Sequence, residues 1–226
     1  MNSHISLGRI GGVPIYLDMM FLLMLMFFGS RYFISGDSQI MAMGLLIVAG
    51  LLISILLHEL GHAVAARFFG VRTREIELTG LGGVARFANS LPRSVFAKTA
   101  IYLAGPAANL LLWLGFEQIT GAVMGLGKPI AVWTFSALAI SNFWLLLFNL
   151  LPAFPLDGGR TLEAWLSVVM STAWAIRIVA VLGLLVTLGC VGLAIQGNLW
   201  MLLLAFVLFQ QNWAALQSVG GLSGGR

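Results

Sequence analysis

Residues 41–57 read Met41-Ala-Met-Gly-Leu-Leu-Ile-Val-Ala-Gly-Leu-Leu-Ile-Ser-Ile-Leu-Leu57, and His58-Glu59-Leu60-Gly61-His62 follows without a break. The run carries no charge. A helix needs about 20 apolar residues to cross a bilayer, so Ile40 to about Phe69 reads as a transmembrane helix with a polar cluster toward one end. Ionisable side chains in hydrocarbon are costly, which makes such a cluster a candidate working site. Helical residues four apart share a face, so His58 and His62 can aim nitrogens at one ion. Glu59 stands beside that face, close enough to touch a water on the ion without binding the ion itself. This is the H-E-x-x-H arrangement of zinc hydrolases, two ligands with a base between them. The bland alternative is a pair of helix histidines bonded to nearby backbone.

Composition bounds the class. The 226 residues are 60% hydrophobic and 9% charged, against roughly 25% charged in ordinary domains, and the mean hydropathy is +0.99. This is an integral membrane protein, and no long polar region remains to fold as a separate soluble domain. The net charge of +4 does not indicate nucleic acid, because the basic residues flank apolar runs instead of forming a patch. The single cysteine, Cys190, lies in an apolar stretch and permits no internal disulfide. Residues 1–18 lack the basic, apolar, cleavage-site order of a signal peptide.

The fold expected is an all-α polytopic membrane protein with about six transmembrane helices. They are Met19 to about Ile34, Ile40 to about Phe69, Thr99–Phe116, Ile130–Leu151, Ile176–Ile195 and Leu199 to about Trp213. An alternating assignment puts Arg9, Arg67, Arg72, Arg74, Arg86, Arg93, Lys98, Arg160, Arg177 and Arg226 on one side, with only Arg31 and Lys128 opposite. The positive-inside rule then places both termini in the cytoplasm, in a multi-pass protein of the cell (inner) membrane. With Arg67 at the interface, His58 lies about 13 Å and His62 about 7 Å below it along the helix axis.

Between the second and third spans, Glu75-Ile76-Glu77-Leu78 alternates polar and apolar. Gly80, Gly82 and Gly83 follow, then Val84-Ala85-Arg86-Phe87. This reads as a small β-hairpin or re-entrant loop; the alternative is a plain connector. Residues 1–217 are expected to form a single transmembrane domain with its core at about 40–165, and residues 218–226 a flexible tail. There is no internal repeat of the kind that marks duplicated transporter halves.

A catalytic zinc takes three protein ligands and keeps one position open. His4 and Glu163 are candidates for the third. Asp157 suits better, because Pro152 and Pro155 stop the helix before it and Gly158-Gly159 permit a sharp turn. Its alternative role is as N-cap of the next helix.

These segments together resemble the site-2 protease family of intramembrane zinc metalloproteases. The resemblance rests on His58–His62, on Asn149-Leu150-Leu151-Pro152, on Leu156-Asp157-Gly158-Gly159-Arg160, on Ala104-Gly105-Pro106-Ala107-Ala108-Asn109, and on Gly80-x-Gly82-Gly83. It covers about residues 50–165. It implies one zinc ion bound by His58, His62 and Asp157, Glu59 as catalytic base, and cleavage of a membrane-spanning protein substrate near the cytoplasmic face. Membrane regulators such as anti-sigma factors, and remnant signal peptides, are the substrates it implies. Larger relatives carry a PDZ or CBS domain; this chain has room for neither and is expected to be a minimal or truncated form.

Hydrolysis also needs a donor for the developing oxyanion. Asn149 is the first candidate and Asn142, on the same helix, a second that would contact the substrate. A helical substrate must unwind to be cut, and the Ile76–Phe87 hairpin, with Gly80, Gly82 and Gly83 at its turn, offers an edge for it. For both asparagines the alternative is interhelical hydrogen bonding. The rival functions are an ion or metal transporter using the same cluster as a transit site, and an inactive relative that binds membrane partners. Oligomeric state is not legible.

Overall fold

The computed structural model describes residues 4–80, 82–197 and 200–220. In chain order the elements are β1 (His4–Ile10), β2 (Val13–Asp18), α1 (Met19–Phe33), α2 (Ser38–Phe68), β3 (Thr73–Thr79) and β4 (Gly82–Phe87). The rest is helical: α3 (Val95–Met124), α4 (Pro129–Asn149), α5 (Asp157–Val169), α6 (Thr172–Ile195) and α7 (Trp200–Gly220). Among the described residues, five helices, α2, α3, α4, α6 and α7, are long and apolar enough to cross a membrane. All backbone polar groups inside a helix bond within the segment, which is why hydrocarbon tolerates it.

Local signals account for the principal ends of α2. Asp37 caps its start, with Oδ1 accepting from the Gln39 amide at 2.7 Å. Arg67 occupies its last turn, where a cation suits the helix dipole. Gly70 follows in the left-handed region, at φ +77°, and stops the helix without a Cβ penalty.

The expected hairpin between the second and third spans is present. β3 and β4 pair antiparallel, with Ile76 opposite Ala85 and Leu78 opposite Gly83. It belongs to a larger sheet that the helical reading did not include. β1 and β2 form a second hairpin, and β2 runs parallel to β3, with Ile15 opposite Ile76, in the order β1-β2-β3-β4. The turn Gly11-Gly12 has φ of +57° and +87°, the backbone that two-residue hairpin loops demand. Ile15, Phe21, Ile76 and Leu78 are fully buried, and the sheet packs on the apolar faces of α1 and α2 around them.

The helical expectations need three corrections. The sheet makes the protein mostly, not wholly, helical. The first expected span corresponds to α1, whose 15 residues make about 22 Å of helix. The third runs well past both expected ends, from Val95 to Met124, with Pro106 inside it. The last helix continues to Gly220, so residues 218–220 of the expected tail are helical; residues 221–226 lie outside the described residues.

The chain divides into two compact units, Met1–Leu91 with Ala104–Leu146, and Pro92–Leu103 with Leu147–Arg226. In the second, Ala153, Cys190, Ala205 and Leu208 form a buried core.

Candidate metal centre

His58, Glu59 and His62 are all buried on α2, at 7%, 5% and 7% exposure. Their ligand atoms lie within 4.8 Å of one another, a group able to hold a metal ion. The helix makes this geometry by itself, since its period carries residues 58 and 62 to one face. The two Nε2 atoms face each other at 3.1 Å. Two nitrogens bound at about 2.0–2.1 Å to a tetrahedral ion stand roughly 3.3 Å apart, so the pair needs only a small adjustment to share zinc.

Glycines surround the group wherever a Cβ would fill its space. A methyl on Gly105 of α3 would lie 2.6 Å from His58 Nε2 and also strike His62. A methyl on Gly83 of β4 would lie 2.5 Å from Glu59 Oε1. Gly61, on the intervening turn, sits so close to α3 that a Cβ would come within 2.6 Å of the Ala104 carbonyl oxygen. Small residues let helix backbones approach this closely. The donor set and the cleared space fit zinc.

A polar chain runs away from the site through three helices. His58 Nδ1 meets Asn109 Oδ1 at 2.5 Å, and Asn109 Nδ2 donates to Asn142 Oδ1 at 2.9 Å. Asn142 Nδ2 donates to Ser54 Oγ at 3.0 Å and to the Leu138 carbonyl at 2.9 Å. Asn109 and Asn142 are fully buried. Asn142 was expected to touch substrate. Both its amide hydrogens are committed inside the protein instead, so the interhelical alternative describes its contacts. The sequence signal for this chain was faint: Ser54 stands one helical turn before His58, and Asn109 is a lone amide in an apolar span.

The hairpin brings Gly83 onto Glu59, while Gly82 opens β4 opposite Thr79 and Gly80 packs against Met20. β4 is an edge strand of the sheet. Across the hairpin, Arg86 donates to Glu77 Oε2 at 2.6 Å and lies 3.7 Å from Glu75 Oε1. The Glu77 carboxylate raises the Arg86 guanidinium above its already high pKa. His4 is exposed on β1.

Asp157 and Asn149 belong to the second unit. Asn149 is the half-buried last residue of α4. Asp157 is the first residue of α5, with Oδ2 buried. The N-cap is Leu156 and not Asp157, so the capping alternative does not apply. The preceding turn is held by Asn212 of α7, a residue the sequence reading passed over. Its Oδ1 accepts from the Phe154 amide at 3.0 Å, and its Nδ2 donates to the Phe154 carbonyl at 2.8 Å and the Leu208 carbonyl at 2.7 Å. Glu163 is half-buried on α5.

Residues 46–125 match the model of Peptidase family M50. A zinc metalloprotease of Methanocaldococcus jannaschii is 34% identical over 169 residues, which are 74% of this chain and 47% of the relative. A candidate zinc metalloprotease of Bacillus subtilis is 30% identical over 156 residues, 52% of this chain and 67% of its own length. Among solved structures, the site-2 protease from Methanocaldococcus jannaschii superposes with a TM-score of 0.68 at 25% identity, covering 94% of this chain and 95% of that one. The chain spans about half the length of the first curated relatives it matches.

Proposed function

The chain belongs to peptidase family M50, the site-2 protease family, and from that premise we propose that it hydrolyses a peptide bond of a membrane-spanning protein near the cytoplasmic face. The observation that carries the reading is the buried His58–Glu59–His62 group on a helix long and apolar enough to cross a membrane. Its two Nε2 atoms converge at 3.1 Å beneath the bare Cα of Gly105.

One zinc ion would be held by His58, His62 and Asp157. Bound zinc supplies Lewis-acid activation of water and of the scissile carbonyl. Glu59 takes the proton of the attacking water and returns it to the departing amine, general acid–base work that contributes about 10²–10⁴-fold. Asn149 donates to the developing oxyanion. The substrate segment unwinds and pairs along the edge of β4. The position of Gly83 against Glu59 supports this, because a strand added there passes the base. Gly80, Gly82 and Gly83 keep side chains out of the path.

The protein sits in the cell (inner) membrane with both termini cytoplasmic. That orientation is supported by the ten-to-two distribution of basic residues. It requires α1 to count as a sixth crossing.

The test is cleavage of a single-span substrate by the full chain in lipid vesicles, with and without chelator. Chelation should stop cleavage. Glu59→Gln should keep one zinc per chain and lose cleavage, and Asp157→Ala should lose zinc. Full activity in Glu59→Gln would sink the scheme. Metal passage across the vesicle without cleavage would favour the transporter reading.

A further inference from the structure

The polar chain behind His58 has a direction, and the direction can be read from its far end. A backbone carbonyl only accepts. The end of the Asn142 amide that faces the Leu138 carbonyl at 2.9 Å is therefore the NH₂ group. Its second hydrogen goes to Ser54 Oγ. That hydroxyl is free to accept, because its own hydrogen is given to the Gly50 carbonyl at 2.8 Å. Asn142 must then turn Oδ1 toward Asn109. Asn109 must answer with its own NH₂ group, at 2.9 Å, and present Oδ1 to His58. An oxygen facing Nδ1 requires the imidazole hydrogen to be on Nδ1. Nε2 is left with its lone pair, pointing at His62.

We propose that Asn109 and Asn142 are positioning residues that lock His58 as the Nδ1–H tautomer and so reserve Nε2 for the metal. The orientation originates at two helix carbonyls, Leu138 on α4 and Gly50 on α2, and is passed through two amides. All three relay side chains, Ser54, Asn109 and Asn142, are at most 1% exposed. Water is therefore excluded as a substitute partner, and reversing one amide leaves two like groups face to face. The chain also gives a use to Ser54, the one hydroxyl in the uncharged run 41–57.

The proposal rests on the reading of His58 as a metal ligand, and the experiment keeps the two apart. In zinc-free wild-type protein labelled with ¹⁵N-histidine, the His58 resonances should report hydrogen on Nδ1. Hydrogen on Nε2 overturns the relay with no variant involved. Zinc affinity is then measured by chelator competition on the full chain. Asn109→Leu removes the acceptor and should bind zinc about 10–100-fold more weakly. Asn109→Asp keeps an oxygen for Nδ1–H and should stay within a few-fold of wild type. Asn142→Leu frees Asn109 to reverse, and should weaken zinc and show both tautomers. Equal loss in the Leu and Asp variants of Asn109 would mean that simple packing, not the acceptor, matters, and would overturn the proposal. So would unchanged affinity in Asn109→Leu. Wild-type protein that takes up no zinc would instead sink the ligand reading.

Discussion

The two proposed halves of the metal site are built in opposite ways. His58 and His62 ride on a helix of 31 residues, and Asp157 stands just after a turn containing two prolines. The helix period supplies the spacing of the histidines, so what remains to be set is the ring: its rotamer, its tautomer and the space in front of it. Asn109 and Gly105 meet those needs. The turn supplies no such frame. Its backbone must find partners for its polar groups, and Asn212 takes both of those of Phe154. Gly158 and Gly159 let it fold tightly, since a Cβ at either would strike the backbone carbonyl region of Leu150 or Ala153. A helix-borne ligand is therefore guarded by side chains acting on a side chain. The proposed one that follows a turn is guarded by a side chain acting on backbone.

Three substitutions test that contrast. The largest effect is expected from Gly105→Ala, whose methyl would enter the space shared by both Nε2 atoms. Zinc affinity by chelator competition should fall more than tenfold while the melting temperature moves little. Retained zinc would show that the helical half tolerates intrusion after all. Asn212→Leu comes next. It orphans two part-buried polar groups of Phe154, each costing at most about 1–3 kcal/mol. Thermal unfolding should register the loss, and hydrogen exchange should speed up in the segment around Phe154 but not around His58. Acceleration spread evenly over both would erase the distinction. Arg86→Met should do least, because the guanidinium is exposed and surface ion pairs contribute about 0–1 kcal/mol. No measurable change in melting temperature is expected. A large one would mean that the hairpin beside Glu59 depends on its charges more than on the buried Ile76 and Leu78.

Legibility followed the reach of each signal. The hairpin was readable because alternation and glycine spacing are both local. The β1–β2 pair was just as local, with Gly11-Gly12 between two short runs, and it escaped because residues 1–18 were weighed only as a leader. Helix α1 is short because Asp18 caps its start and β2 claims what precedes it. Asn142 was read as facing substrate since a polar residue in an apolar helix attracts a functional assignment. The bonds that occupy it lead to Ser54, 88 positions away, and Asn109, 33 away. Asn212 drew no notice, because nothing near it in the chain says that Phe154, 58 positions earlier, is its partner.

By itself the sequence determined that this chain belongs in a bilayer, that one of its helices carries a paired-histidine metal group with an acid between, and that a hairpin lies between the second and third spans. Those are matters of hydropathy and period, and a few consecutive residues suffice to state them. Only the tertiary structure decided which glycines clear the metal space, which amide faces which, and what holds the turn before Asp157. Such facts depend on hydrogen bonds between residues far apart in the chain. They become determinate only when packing has excluded water and left each buried donor a single acceptor.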